Sequence, residues 1–405
     1  MTQLLRIQEP DSRNAERPSL RAFLELGFRP LYLAGAFWAL VAILIWIFAP
    51  HLLMGELRGV IWHAHEMLWG FVITIAIGFL MTAGANWTGI NPLSAQMLGL
   101  ICGLWVVARL GFLLPGPAAF GVAAIAEIAM LLAAAIAMGR VVWLSKSVRN
   151  YGVPLVLLGM AIADGLFLLA ALTGAYEQVM RYFHAGLILM AMLVLLIGRR
   201  VIPFFTMRAT PGLEIPGHMK SGHWQLGASV LAMLAIVADA PIIGGPMLVL
   251  TGAIGLIQVF SWRPLVVRQR PILWILYLGY SMTAVGLIAA GFRLLDPGLR
   301  TAWSVHTMAM GGFSVLIIGM ITRTALGHLG RGLVLSRLMV ASYWLMIVAV
   351  VLRLAAMLPL PLSGVLLMAA ALSWAGVFGL YLFEFFPWMI RARPAPNHGT
   401  IVRNR

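Results

Sequence analysis

GVIWHAHEMLWGFVITIAIGFLMTAG, residues 59–84, decides the class of fold. From residue 63 onward it stays apolar for long enough to cross a bilayer, which takes about 20 residues. Yet it opens on His63, His65 and Glu66. Polar groups entering lipid cost free energy unless they are partnered, so such residues mark a candidate site.

The rest of the chain is built of the same material. Its 405 residues are 62% hydrophobic and 10% charged, with a mean hydropathy of +0.96. Soluble domains lie near 45–50% and 25%, so folding in water is not expected. The one cysteine, Cys102, excludes an intrachain disulfide and any Cys-rich zinc or iron–sulfur site. The stretch to Arg29 is polar and of mixed charge, without the apolar core of a signal peptide.

Twelve apolar stretches qualify as candidate spans, punctuated by prolines that include Pro30, Pro50, Pro154, Pro271 and Pro387. The seventh, 224–239, is the shortest. The expected architecture is an all-α integral membrane protein of twelve transmembrane helices. Residues 1–29 form a cytoplasmic tail, 30–387 the membrane domain and 388–405 a second cytoplasmic tail. Lysine and arginine set the orientation. With the N-terminus inside, 22 of the 28 basic residues fall in inner segments and 6 in outer ones. Basic loops against anionic lipid account for the net charge of +15 without a nucleic-acid partner.

That orientation puts His63 and His65, at the start of the second span, on the outer side. His184 opens the sixth span and His306 the tenth, at the same depth. The second and tenth also share a W-x-x-H-x-M-x-x-G-x₇-G frame. Trp62, His65, Met67, Gly70 and Gly78 match Trp303, His306, Met308, Gly311 and Gly319. A lone interfacial histidine is bland, and His51 and His398 are read that way. Four histidines on three helices at one depth point to a shared metal or haem, because neutral imidazole ligates both.

Geometry narrows the choice. His63 and His65 project about 200° apart on a regular helix and cannot share one ion. His65 and His306, equivalent in the frame, are the first candidate pair of axial haem ligands. His63 then faces Glu66 and Met67. Glu66 would orient it as a supporting carboxylate, and Met67 would add a soft donor for Cu(I).

At the inner ends stand GRRVIPFFTMR (198–208) and MITRTALGHLGR (320–331). Arg199, Arg200, Arg323 and Arg331 suit the positive-inside pattern and also suit carboxylates such as haem propionates. His328, with His218 and His223, is a candidate second metal site. Glu127 and Asp164 lie in mid-membrane, where a carboxylate must be paired, hydrated or protonated. A proton path and a buried pairing with Arg109 both remain open.

At this point the chain resembles a known family. WHAHEMLWGF (62–71), FRPLYLAG (28–35), NWTG (86–89), GRRVIPFFT (198–206) and TRTALGHLGR (322–331) together are similar to the NnrS family, over nearly the whole chain. The resemblance implies a twelve-helix bacterial inner-membrane protein that contains haem and copper and acts in the nitric oxide response. It singles out His63, His65 and Glu66, Arg199 or Arg200 with Pro203, and Arg323, His328 and Arg331. A weaker, architectural likeness is to haem–copper oxidases, whose helices form three pseudo-repeats of four. The expected function is therefore binding, sensing or detoxification of nitric oxide at a haem, of type b, with copper as a further metal. Turnover and electron donor are left open. The alternatives are a secondary transporter, which twelve helices and paired halves also fit, and an assembly factor that handles haem or copper for another enzyme.

Overall fold

The computed structural model describes residues 17–393. Among these the chain is helical, with no β-strand and one isolated bridge between Pro18 and Arg391. The long helices are α1 (Phe28–Phe48), α2 (Gly59–Thr88), α3 (Ala95–Gly111), α4 (Pro117–Leu144), α5 (Gly152–Leu172) and α6 (Tyr176–Ala209). They continue as α7 (Met219–Val237), α8 (Pro241–Ser261), α9 (Pro271–Leu295), α10 (Thr301–His328), α11 (Arg337–Ala355) and α12 (Ser363–Met389). Ten of them are long and apolar enough to cross a membrane. The other two are α3, with 17 residues, and α7, which begins with Lys220, His223 and Gln225 among its first residues.

The boundaries follow from local chemistry. Prolines open α4, α8 and α9, where a missing N–H costs nothing. Ser94 and Ser336 cap α3 and α11 by accepting the N–H of Met97 and Met339. Gly89 ends α2 at φ 72°, a left-handed conformation open to glycine at little cost. Within α2 the hydroxyls of Thr74, Thr82 and Thr88 donate to carbonyls one turn back. That satisfies them where water is absent.

Apart from α2 and α3, successive helices pack closely against one another, and α12 returns to α1. The three helices that carry His63 and His65, His184 and His306 form the centre. The most apolar windows of α2, α6 and α10 are 83%, 72% and 78% buried, against 33% for α11 and α12. Close approach is built in where α2 meets α6: a Cβ on Gly186 would come within 2.8 Å of the Trp69 ring.

Two of these central helices are not regular. The α-helix of α2 gives way to a π-helix over Glu66–Val72, and that of α10 over Thr307–Ser314. Both wide segments begin at the residue after the histidine of the shared frame, His65 and His306. A π segment inside an α-helix is rare and is often found at functional sites.

Candidate functional site

The first group of polar side chains lies between α1, α2, α3, α4 and α5. His65, Glu66, Glu127 and Asp164 have no exposed surface, and Arg109 is 2% exposed. The His65 Nδ1–H donates to Glu66 Oε1 at 3.0 Å. His65 Nε2 lies 3.1 Å from Asp164 Oδ1 and 3.2 Å from Glu127 Oε2. Arg109 bridges the acids, donating from Nη1 to Glu66 and from Nη2 to Glu127. The Trp38 indole N–H donates to Glu66 Oε2 at 2.5 Å. Trp69, Phe112 and Phe167 surround the imidazole, with ring centres 4.8–5.5 Å away. In so apolar a setting each ion depends on the others, and the group holds together only as a unit.

Gly70 makes room for it. A Cβ there would come within 2.6 Å of Glu66 Oε2 and 2.7 Å of the Trp38 nitrogen, and would strike Arg109. The Trp105 indole N–H donates to the Gly70 carbonyl at 3.2 Å.

The second group lies where α2 and α10 begin. The His63 ring stands between Trp46 of α1, 5.3 Å away, and His306 of α10, 6.4 Å away. The planes are near parallel, at 8° and 19°. The Nδ1–H of His306 donates to the Ala302 carbonyl at 2.9 Å, and that of His184 to the Met180 carbonyl at 2.6 Å. Each bond leaves Nε2 as the free lone-pair nitrogen. His63 Nδ1 is buried without a hydrogen-bond partner. Met67 is half-buried beside the hydrophobic core.

Two sequence expectations are corrected here. His306 stands with His63, not with His65, which points into the carboxylates of α4 and α5. Glu66 orients His65 rather than His63. The π-helix explains the second change. Glu66 is its first residue, so the regular register that would set Glu66 one turn from His63 ends there. Glu127 does pair with Arg109, one of the two readings left open.

At the opposite end of the central helices the arginines lie against rings and carbonyls. The Arg323 guanidinium sits 3.9 Å over Phe205, and that of Arg331 3.6 Å over Trp388. Arg200 donates to the Leu196 carbonyl and to Asn150 Oδ1. Arg199 is wedged against Gly222, with Nη1 buried and unpartnered. Among the described residues none of these four pairs with a carboxylate. His328 packs on Phe28 and His218 meets Ser261, so with His223 they are not drawn into one cluster. Between the two ends an apolar cavity of about 100 Å³ lies among α1, α2, α6 and α10, with Tyr32, Val72, Met190, Ile197, Phe313 and Met320 in its wall.

Trp38 and Trp46 escaped the sequence reading. A tryptophan in an apolar helix has no pattern that separates a hydrogen-bonded ring from packing.

A polytopic helical membrane protein emerges, with histidines on its central helices and an ionisable cluster sealed beside them. The chain belongs to the NnrS family: the family model, described as NnrS protein, matches residues 22–393. Comparison with curated proteins returned no match.

Proposed function

We propose that this chain is a haem-containing membrane protein of the nitric oxide response, held in a bacterial inner membrane by twelve spans with both termini cytoplasmic. In this reading α3 and α7 cross the bilayer as well. The three-by-four arrangement of helices belongs to the same proposal, supported by the matching π segments after His65 and His306.

The observation that carries the reading is the pairing of His63 with His306. Two imidazoles on one metal ion, with metal–nitrogen bonds of about 2.1 Å, have ring centres about 6 Å apart. The ring centres here are 6.4 Å apart. The donor chemistry fits as well: His306 offers Nε2, and His63 has a buried nitrogen with no other partner. His63 and His306 would hold the haem iron, with His184 as the further histidine at that end. Met67, four residues on from His63 in the chain, would favour Cu(I) if copper is the second metal. Arg199, Arg200, Arg323 and Arg331 lie about 20–25 Å or more along the helix axes from the His63–His306 pair, too far for the propionates of this haem, and are left to the opposite end of the bundle. When bound, haem supplies an iron that takes up nitric oxide and changes redox state. The protein excludes water, fixes the histidine tautomers through the Met180 and Ala302 carbonyls, and offers an apolar cavity of a size for a diatomic gas.

The test is the absorption spectrum of the purified protein, with a pyridine haemochrome assay and copper analysis, for wild type, His63→Ala, His306→Ala and His51→Ala. Loss of haem in the first two variants and its retention in the third is expected. A wild type without haem would sink the reading and bring the transporter forward. Haem at full occupancy in both His63→Ala and His306→Ala would move the ligands elsewhere.

A further inference from the structure

We propose that His65, Glu127 and Asp164 form a binding site for one divalent transition-metal ion, separate from the His63–His306 pair. One ligand atom from each lies within 4.8 Å of the other two. The separations from His65 Nε2 are 3.1 and 3.2 Å. An ion with bonds of about 2.0–2.2 Å places adjacent ligand atoms about 3 Å apart, the same spacing.

Orientation supports the assignment. His65 donates from Nδ1 to Glu66, which leaves Nε2 for a second partner. That nitrogen faces two carboxylates. A metal-binding histidine almost always donates its other N–H to a carboxylate or carbonyl in this way. Without an ion, Nε2 would have to carry a proton and donate it to these carboxylates. Asp164 Oδ2 and Glu127 Oε2 are fully buried and accept no hydrogen bond from any donor.

Charge points the same way. Glu66, Glu127 and Asp164 carry three negative charges, and Arg109 returns one positive charge. With neutral His65 the cluster is left at −2, which one divalent cation cancels. Arg109 occupies the other oxygen of Glu127 and so leaves Oε2 for the ion. One nitrogen and two or more carboxylate oxygens suit Mn²⁺, Fe²⁺, Co²⁺ or Zn²⁺, and not Cu(I), which prefers softer donors.

The experiment uses the full-length protein in detergent, stripped with chelator and titrated with Co²⁺. Wild type is expected to bind one Co²⁺ per chain, displaced by Zn²⁺, with an X-ray absorption spectrum showing nitrogen and oxygen ligands and a single imidazole. Asp164→Ala is expected to lose the ion, and Glu66→Gln to weaken binding about 10–100-fold. His63→Ala and His306→Ala are expected to keep it, whatever their haem content. The wild-type spectrum stands without any variant, so a misfolded Asp164→Ala does not decide the matter. No bound Co²⁺ in wild type, two imidazoles or sulfur around it, or retention in folded Asp164→Ala would overturn the proposal.

Discussion

Arg109 is the residue whose loss should be felt most. Among the described residues it is the one arginine that meets both Glu66 and Glu127, and all three side chains are at most 2% exposed. Arg109→Met keeps much of the volume and apolar stem but strands two carboxylates at once. Removing one partner of a buried ion pair costs about 3–5 kcal/mol, or roughly two to three and a half orders of magnitude in the folding equilibrium. With two acids stranded, the upper end applies. The assay is unfolding in mixed detergent micelles, followed by tryptophan fluorescence. The triple variant Arg109→Met/Glu66→Gln/Glu127→Gln removes the stranded charge and should recover most of the loss, because neutral replacements of buried ion pairs are often tolerated. Equal stability of Arg109→Met and wild type would refute the reasoning. So would a triple variant no more stable than Arg109→Met, since the penalty would then not come from unpaired charge.

Three further outcomes are expected. Gly70→Ala drives a methyl group into Glu66 and the Trp38 nitrogen, and should cost about 1–3 kcal/mol in the same unfolding assay; an unchanged midpoint would contradict the close packing. Trp38→Phe keeps the apolar face but removes the N–H donated to Glu66, a bond to a charged acceptor worth about 1.5–3 kcal/mol. A loss well below 1 kcal/mol would mean that Arg109 alone satisfies that oxygen. Fused after Arg405, alkaline phosphatase should be inactive and a fluorescent protein bright; active phosphatase would reverse the proposed orientation.

Much of this protein was legible before its structure, for identifiable reasons. Long apolar runs broken by proline fix where helices start, so each candidate span has a counterpart among the long helices. The central placement of α2, α6 and α10 could be anticipated because polar side chains in lipid must turn inward, and His63, His184 and His306 mark those helices. Partner choice was not legible. A regular helix sets His63 and His65 on opposite faces, and that much holds. Which of them meets His306 depends on how α2 is rotated against α10. The phase of α2 is altered by a π segment for which the sequence gives no rule. Glu127 and Asp164 were visible as isolated acids, but their convergence on His65 needed the packing of α4 and α5 against α2. Trp38 shows the same limit, since its role comes from a neighbour 28 positions away.

The two π segments have a mechanical consequence. In an α-helix every residue inserted turns all that follows by about 100°, so the two ends are geared together. A π turn takes up extra chain without passing the rotation on. In α2 the gearing is therefore released between Glu66 and Val72. Above it, His63 and His65 face different partners. Below it, Gly78 stays against Leu31 and Tyr32, and the Thr82 hydroxyl still accepts the Phe28 N–H at 3.0 Å. Substitution can rework the chemistry at one end of such a helix while the other end keeps its seat against α1.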